Sequence, residues 1–199
     1  MQLPEPRFEG AVSLEEAIHD RRTIRSFTSA SLTLEHLSQI LWAAQGITGQ
    51  EGFKRAAPSA GALYPMDVYG AVGKDTVGTL EPGVYEYRPA GHSLSPVTKG
   101  DVRKALAGAS LGQMWTARAP LTLVVTAEYI RITGKYSQRG VRYAMIEAGH
   151  IGQNIFLQCA ALGLGAGIVG AFEDGEVIEV LGIPKSREPL LIMPVGYTR

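Results

Sequence analysis

The stretch 139–162 constrains the fold most. It keeps a helical period with no proline and is apolar or small around most of its circumference. Ala144, Ala148, Ile151, Ile155, Cys159 and Leu162 fill one flank, and Met145, Gly152, Phe156 and Ala160 continue it. At about 100° per residue, Tyr143, Glu147, His150, Asn154 and Gln158 share the one remaining narrow stripe. A helix of this kind has to be covered on nearly every side, so it is predicted to form the spine of the domain and to reach a subunit interface. Gly149 and Gly152 suit close approach, the five stripe residues need partners or water, and Gly163, Gly165 and Gly167 end the helix.

Around this spine the pattern predicts alternating elements. Residues 1–12 read as an extended arm. A helix over 13–21 opens on Ser13-Leu14-Glu15-Glu16, the spacing of a capping box, and a second over 34–44 has Thr33 as its N-cap. Strands are expected at 67–72, 84–87, 121–126 and 190–195, helices at 101–107 and 174–181, and an extended piece at Ile168 and Val169. Helices interspersed with strands predict an α+β layered fold, with the whole chain, 1–199, as one domain.

Nineteen basic residues balance nineteen acidic ones, which argues against nucleic acid or an anionic membrane as a partner. No run approaches the ~18 apolar residues of a membrane helix. One cysteine, Cys159, allows no internal disulfide, and the first residues carry no apolar signal segment, so a cytoplasmic setting is expected.

Against this neutral background one basic cluster stands out, Arg21-Arg22-Thr23-Ile24-Arg25. Guanidiniums fork onto phosphate oxygens with paired hydrogen bonds, so the cluster can clamp an anion; equally, it can cap a helix end in solvent. The loop from Pro58 to Pro65 (Pro-Ser-Ala-Gly-Ala-Leu-Tyr-Pro) is apolar and rich in backbone donors, a wall for a planar group or an ordinary connection. Lys135 and Tyr136 sit side by side before the long helix, either exposed or able to move a proton. Glu147 and His150 lack a third ligand at metal spacing, so no metal site is expected. Ser59 has no nucleophile-elbow context, and neither a dinucleotide fingerprint nor a phosphate-binding Walker loop occurs.

In this order the motifs resemble the flavin-dependent nitroreductase family, and within it the SagB-type branch of thiazoline and oxazoline dehydrogenases. The pieces are Arg21 to Phe27, Pro58 to Pro65, Lys135 to Gly140, Glu147 to Asn154 and Ala161 to Gly165. The resemblance implies a nitroreductase-like fold, a mixed, mainly antiparallel sheet flanked by helices, in an intertwined homodimer with FMN at the interface. It implies that Arg21, Arg22, Thr23 and Arg25 hold the phosphate and ribityl chain. Pro58, Ser59 and Ala60 would lie along the isoalloxazine, and Ile168, Val169 and Gly170 would cover its other side. Two departures matter. Typical nitroreductases have asparagine and glutamine at the positions of Ala62 and Tyr64, and the form here is that of the dehydrogenase branch. Many relatives also carry a late basic segment that reaches the phosphate; here Arg199 would substitute, or the first cluster would act alone.

The implied activity is that of an FMN-dependent oxidoreductase, with Lys135 and Tyr136 tied to substrate deprotonation and an azoline ring in a modified peptide as substrate. An NAD(P)H-dependent nitro or quinone reductase with a small-molecule substrate, working by ping-pong hydride transfer, is the alternative. A flavin-binding protein without turnover is the alternative of another class.

Overall fold

The computed structural model describes residues 1–49 and 52–198. Six strands, β1 (Met66–Val72), β2 (Gly83–Arg88), β3 (Ser93–Lys99), β4 (Leu121–Ala127), β5 (Gly165–Ala166) and β6 (Glu188–Gly196), form one sheet in the order β3-β2-β1-β4-β6-β5. Every strand pairing is antiparallel. Parallel contact among the described residues is confined to single bridges, such as Thr23 with Ala166 and Leu32 with Val77.

The helices are α1 (Leu14–Asp20), α2 (Leu34–Gln45), α3 (Arg103–Ala109), α4 (Ile130–Tyr136), α5 (Arg139–Ala161) and α6 (Asp174–Leu181). Ser13 Oγ accepts from Glu16 N–H, so the serine half of the expected capping box forms on α1. On α2 the Thr33 cap is reciprocated by His36, whose ring bonds the Thr33 N–H. A cap of this kind is worth about 1 kcal/mol.

Helices α2 and α5 pack on one face of the sheet and α3 and α6 on the other. Strand β4 shows why its run of β-branched and leucine residues is so dense: it is central and buried at every position. Leu121, Leu123, Val125 and Ala127 join the α2/α5 core, and Val124 joins the core under α3 and α6. The spine is α5. Ala144, Ala148, Ile151, Ile155 and Cys159 are all buried in the first core. Gly152 seats the helix on β6, where an added Cβ would lie 3.1 Å from Leu191 Cδ1, while Gly149 faces open space.

Besides β5, whose two residues fall among the glycines expected to end the long helix and before the extended piece expected at Ile168 and Val169, two elements were not expected. Strand β3 reads as turn and loop in the sequence because it holds Pro96 among polar residues. It is the sheet edge, where proline is tolerated, and Pro96 pairs opposite Tyr85 at a register shift. The arm closes over this edge, with Gln2 bridging Ser93 and Leu3 buried. Helix α4 is the second. The expected helix entrance at Lys135 and Tyr136 is instead the last turn of this separate helix, and Ser137, at φ 48°, breaks it from α5.

Candidate active site

The candidate residues fall into two groups along α5. The first surrounds its C-terminal half. Arg21 closes α1, and its guanidinium lies 5.3 Å from the Phe156 ring centroid. Arg25 lies over Trp115 at 5.9 Å, and Thr23 bridges Ala166 of β5, which fixes the segment against the stretch after α5. Arg21 and Arg22 line a cavity of 230 Å³ with Phe156, Gly163, Gly165 and Thr198. Among the described residues no carboxylate forms an ion pair with Arg21, Arg22 or Arg25, although Asp20 lines the same cavity as Arg21 and Arg22. Arg22 is partly spent on structure, since its Nη1 donates to the carbonyls of His19 and Arg21 at the end of α1.

Ile168, Val169 and Gly170 follow β5 beside this group. Val169 N–H donates to Ile192 O and its C=O accepts from Ile192 N–H, and its side chain is buried in the α3/α6 core. Ile168 is half-buried near Gly152, and Gly170 is exposed. Arg199 lies outside the described residues.

The second group surrounds the N-terminal half of α5. The loop from Pro58 takes left-handed backbone at Gly61 (φ 63°), Ala62 (φ 53°) and Tyr64 (φ 47°). Two of these are not glycine, and such conformations persist where the surroundings over-determine them. The determinants are visible. Ala62 N–H donates to Ser59 O, Tyr64 N–H donates to Ser59 Oγ at 2.9 Å, and the Arg55 guanidinium stacks 4.3 Å from the Tyr64 ring centroid. At the apex, a Cβ added to Gly61 would lie 2.7 Å from Tyr136 Oη and 3.1 Å from Lys135 Nζ. The loop and the Lys135–Tyr136 pair, remote in sequence, are therefore in contact. Lys135 Nζ lies 5.4 Å from the Tyr136 ring centroid, and Tyr136 meets Tyr143 of α5 edge-on at 5.2 Å.

The stripe on α5 finds its partners here and along α2. Asn154 donates to Ala43 O, Gln39 donates to Gln158, and His150 Nδ1 is 3.4 Å from Pro58 O. Glu147 is buried, and its Oε1 accepts from Gln45 Nε2 at 3.2 Å. It lines a cavity of 280 Å³ with Pro58, Ser59, Ala60, Tyr143, Ile146 and His150. Burial pushes its carboxyl above the ordinary range; Ser59, Gln45, Arg55 and His150 oppose that shift. Glu147 Oε2 has no hydrogen-bond partner among the described residues. In the sequence Glu147 has no site role beyond that of a stripe residue in need of a partner; a glutamate on the stripe of an otherwise apolar helix is the signal that could have found it. Cys159 is buried, and burial pushes its thiol up, away from reactivity.

The two groups do not meet within one chain. From Glu147 to Ala160 the helix rises roughly 20 Å, and the two cavities share no lining residue.

The nitroreductase family model matches residues 18–197. The chain is 45% identical over 196 residues, 98% of its length and 96% of the other, to "Putative nitroreductase MJ1384" of Methanocaldococcus jannaschii. It is 27% identical over 147 residues to the microcin B17-processing protein McbC of Escherichia coli, covering 72% of this chain and 54% of that one. A chain of the E. coli microcin synthetase McbBCD complex with truncated pro-MccB17 bound has the same fold (TM-score 0.78, 23% identity, all of this chain and 78% of that one).

Proposed function

Since the chain belongs to the nitroreductase family, an oxidoreductase class, we propose that it is an FMN-dependent dehydrogenase of azoline rings in a modified peptide. The observation that carries this reading is the contact of the Gly61 apex with Tyr136 Oη and Lys135 Nζ. Similarity to a protein that processes microcin B17 supports the peptide substrate.

The residues fit FMN. Two guanidiniums without an ion-pair partner, Arg21 and Arg22, border a cavity beside the glycines after α5 and suit a phosphate, with Arg25 close by in sequence. The apolar surface of Pro58 and Ala60 suits a flat ring. Converting an azoline to an azole removes a proton and a hydride, and FMN, when bound, is the hydride acceptor. The protein's own task is to orient the substrate and take the carbon-bound proton. Tyr136 Oη and Lys135 Nζ, adjacent at the loop apex, are the groups positioned to hold it. Because the arginine cluster and the loop lie at opposite ends of α5, a complete site takes one group from each protomer of a homodimer. The exposed Met145, Ile146, Phe8 and Leu14 supply apolar surface for that contact.

The experiment is anaerobic mixing of the FMN-loaded protein with an azoline-containing peptide, following flavin bleaching. Reduction by the peptide, slowed in Lys135→Ala and Tyr136→Phe, supports the reading. The 45% identity to a protein called a nitroreductase favours one second reading, an NAD(P)H-dependent nitro or quinone reductase. Reduction by NADH or NADPH with no response to azoline would select it.

A further inference from the structure

The left-handed loop, the buried glutamate and the half-buried Arg55 are parts of one hydrogen-bonded circuit running from Glu147 to Ser59. Glu147 Oε1 accepts from Gln45 Nε2 (3.2 Å), and Gln45 Oε1 accepts from Arg55 Nη1 (3.0 Å). Arg55 grips Tyr64 twice: its guanidinium stacks on the ring, and its backbone N–H donates to the phenol oxygen at 3.2 Å. Tyr64 N–H donates to Ser59 Oγ, and Ser59 lines the same cavity as Glu147. The circuit joins α5, α2 and both ends of the loop, with one buried anion and one half-buried cation held apart by a glutamine amide.

We propose that Glu147 is a positioning residue: through Gln45 and Arg55 it fixes the left-handed shape of the loop and so the place of Gly61 beneath Tyr136 and Lys135. Two features single out Glu147 within the circuit. It is the one member in this circuit with a carboxyl group, and Arg55, whose charge burial disfavours, draws compensation from it. A buried polar network of this kind specifies a unique geometry when satisfied and loses it when one member is removed. The loop needs such a frame because Ala62 and Tyr64 do not favour their backbone conformations on their own. The charged and titratable groups that face Glu147 are Arg55, from the segment before the loop, and Tyr143 and His150 on α5 itself. Gln45 and Ser59 face it as neutral groups.

The functional weight of this inference rests on the loop's role in the proposed site, but its test does not need flavin. Amide hydrogen exchange, read by NMR on the full chain, reports the Tyr64 and Arg55 N–H groups, which donate to Ser59 Oγ and Tyr64 Oη. In Glu147→Ala these two amides should lose about tenfold or more in protection, with β4 amides unchanged. Glu147→Gln keeps an acceptor for Gln45, so it should retain protection and lose its pH dependence. In the unmutated protein protection, corrected for the intrinsic exchange rate, should rise as the carboxyl is protonated, because opening hydrates a carboxyl that burial makes hold its proton more tightly. In FMN-loaded protein flavin reduction should slow in Glu147→Ala and be restored in Glu147→Gln, with flavin content unchanged in both. Equal protection in all three proteins, or a loss spread evenly over β4, would overturn the proposal. If neither variant folds, the pH series on the unmutated chain decides alone. A protein that takes no flavin would remove the proposed function and leave the exchange result standing.

Discussion

Gly61 lies beneath Tyr136 so closely that a Cβ at Gly61 would sit 2.7 Å from the phenol oxygen. Residue 61 is also left-handed, at φ 63°. Gly61→Ala therefore combines about 1–2 kcal/mol of backbone strain with a displacement of Tyr136. Lys135, whose flexible end is 3.1 Å away, can yield more easily. The expected outcome is a modest fall in melting temperature with FMN still bound, and a much larger loss in the rate of flavin reduction by substrate. A melting scan and stopped-flow reduction on the same preparation check it; an unchanged rate would remove the contact from the mechanism.

The arginines should separate by role. Arg21→Ala and Arg25→Ala each remove a guanidinium that has aromatic but no carboxylate partners. Each should weaken FMN binding by about 1.5–3 kcal/mol if it holds the phosphate. Arg22→Ala should weaken it less and destabilise α1 slightly, because Arg22 Nη1 is already bonded to the carbonyls of His19 and Arg21. Titration of apoprotein with FMN, followed by fluorescence quenching, gives all three values. Equal effects at the three positions would mean that Arg22 leaves its cap when flavin binds.

Lys135→Ala and Tyr136→Phe should retain FMN and lose turnover, by about 10²–10⁴ if the pair acts as general base. Flavin content by absorbance and single-turnover reduction distinguish the two effects. Loss of flavin in either variant would move the pair into cofactor binding.

How much of this was legible in the sequence depended on the range of the interactions. The spine α5, the Thr33 cap and strand β4 rest on local periodicity and appear where the pattern predicts them. Strand β3 was hidden because its identity comes from pairing with β2 and from covering by the arm, and Pro96 argues locally against a strand. Helix α4 is one short element ending at a left-handed serine, a break that no residue type announces. The site was legible as separate motifs. Their grouping was not: nothing local in Pro58 to Pro65 indicates that its apex meets Lys135 and Tyr136, or that Arg55 reaches Glu147 through Gln45.

Glu147 gives a pH signature that stability measurements can isolate. Its carboxyl is raised from 4.5, chiefly by burial, so the folded protein binds that proton more tightly than the unfolded chain. The stability this contributes is full below the unfolded value and is lost as pH rises through the higher folded value. Glu147→Gln carries no such dependence. Asp101 and Glu35 shift the other way but are common to both proteins and cancel in the difference. The variant's melting temperature relative to the unmutated protein should therefore rise as pH increases from below 4.5 through the folded carboxyl's titration. A difference that is flat with pH would mean that the carboxyl is not desolvated in solution.

The separation of the two residue groups along α5 makes a prediction about assembly. The Arg21 cavity borders Phe156 and Ala160, and the loop cavity borders Tyr143 and Glu147, roughly 20 Å apart by helical rise. On α5 the exposed Met145, Ile146 and open Gly149 provide a face for a second copy. If the arginines of one protomer complete the site formed by the loop, Lys135 and Tyr136 of its partner, two differently disabled chains should rescue each other. One chain carries Arg21→Ala with Arg25→Ala, and the other carries Lys135→Ala. Each homodimer should be inactive, the first for want of flavin and the second for want of a base. A mixed dimer has one site with all defects and one with none, so activity should return when the chains are co-expressed or exchanged. Were each site built from one chain, both sites of the mixed dimer would carry a defect and mixing would restore nothing. Light scattering on the same samples must show a dimer, because a monomer with bound flavin would exclude the shared site whatever the activity.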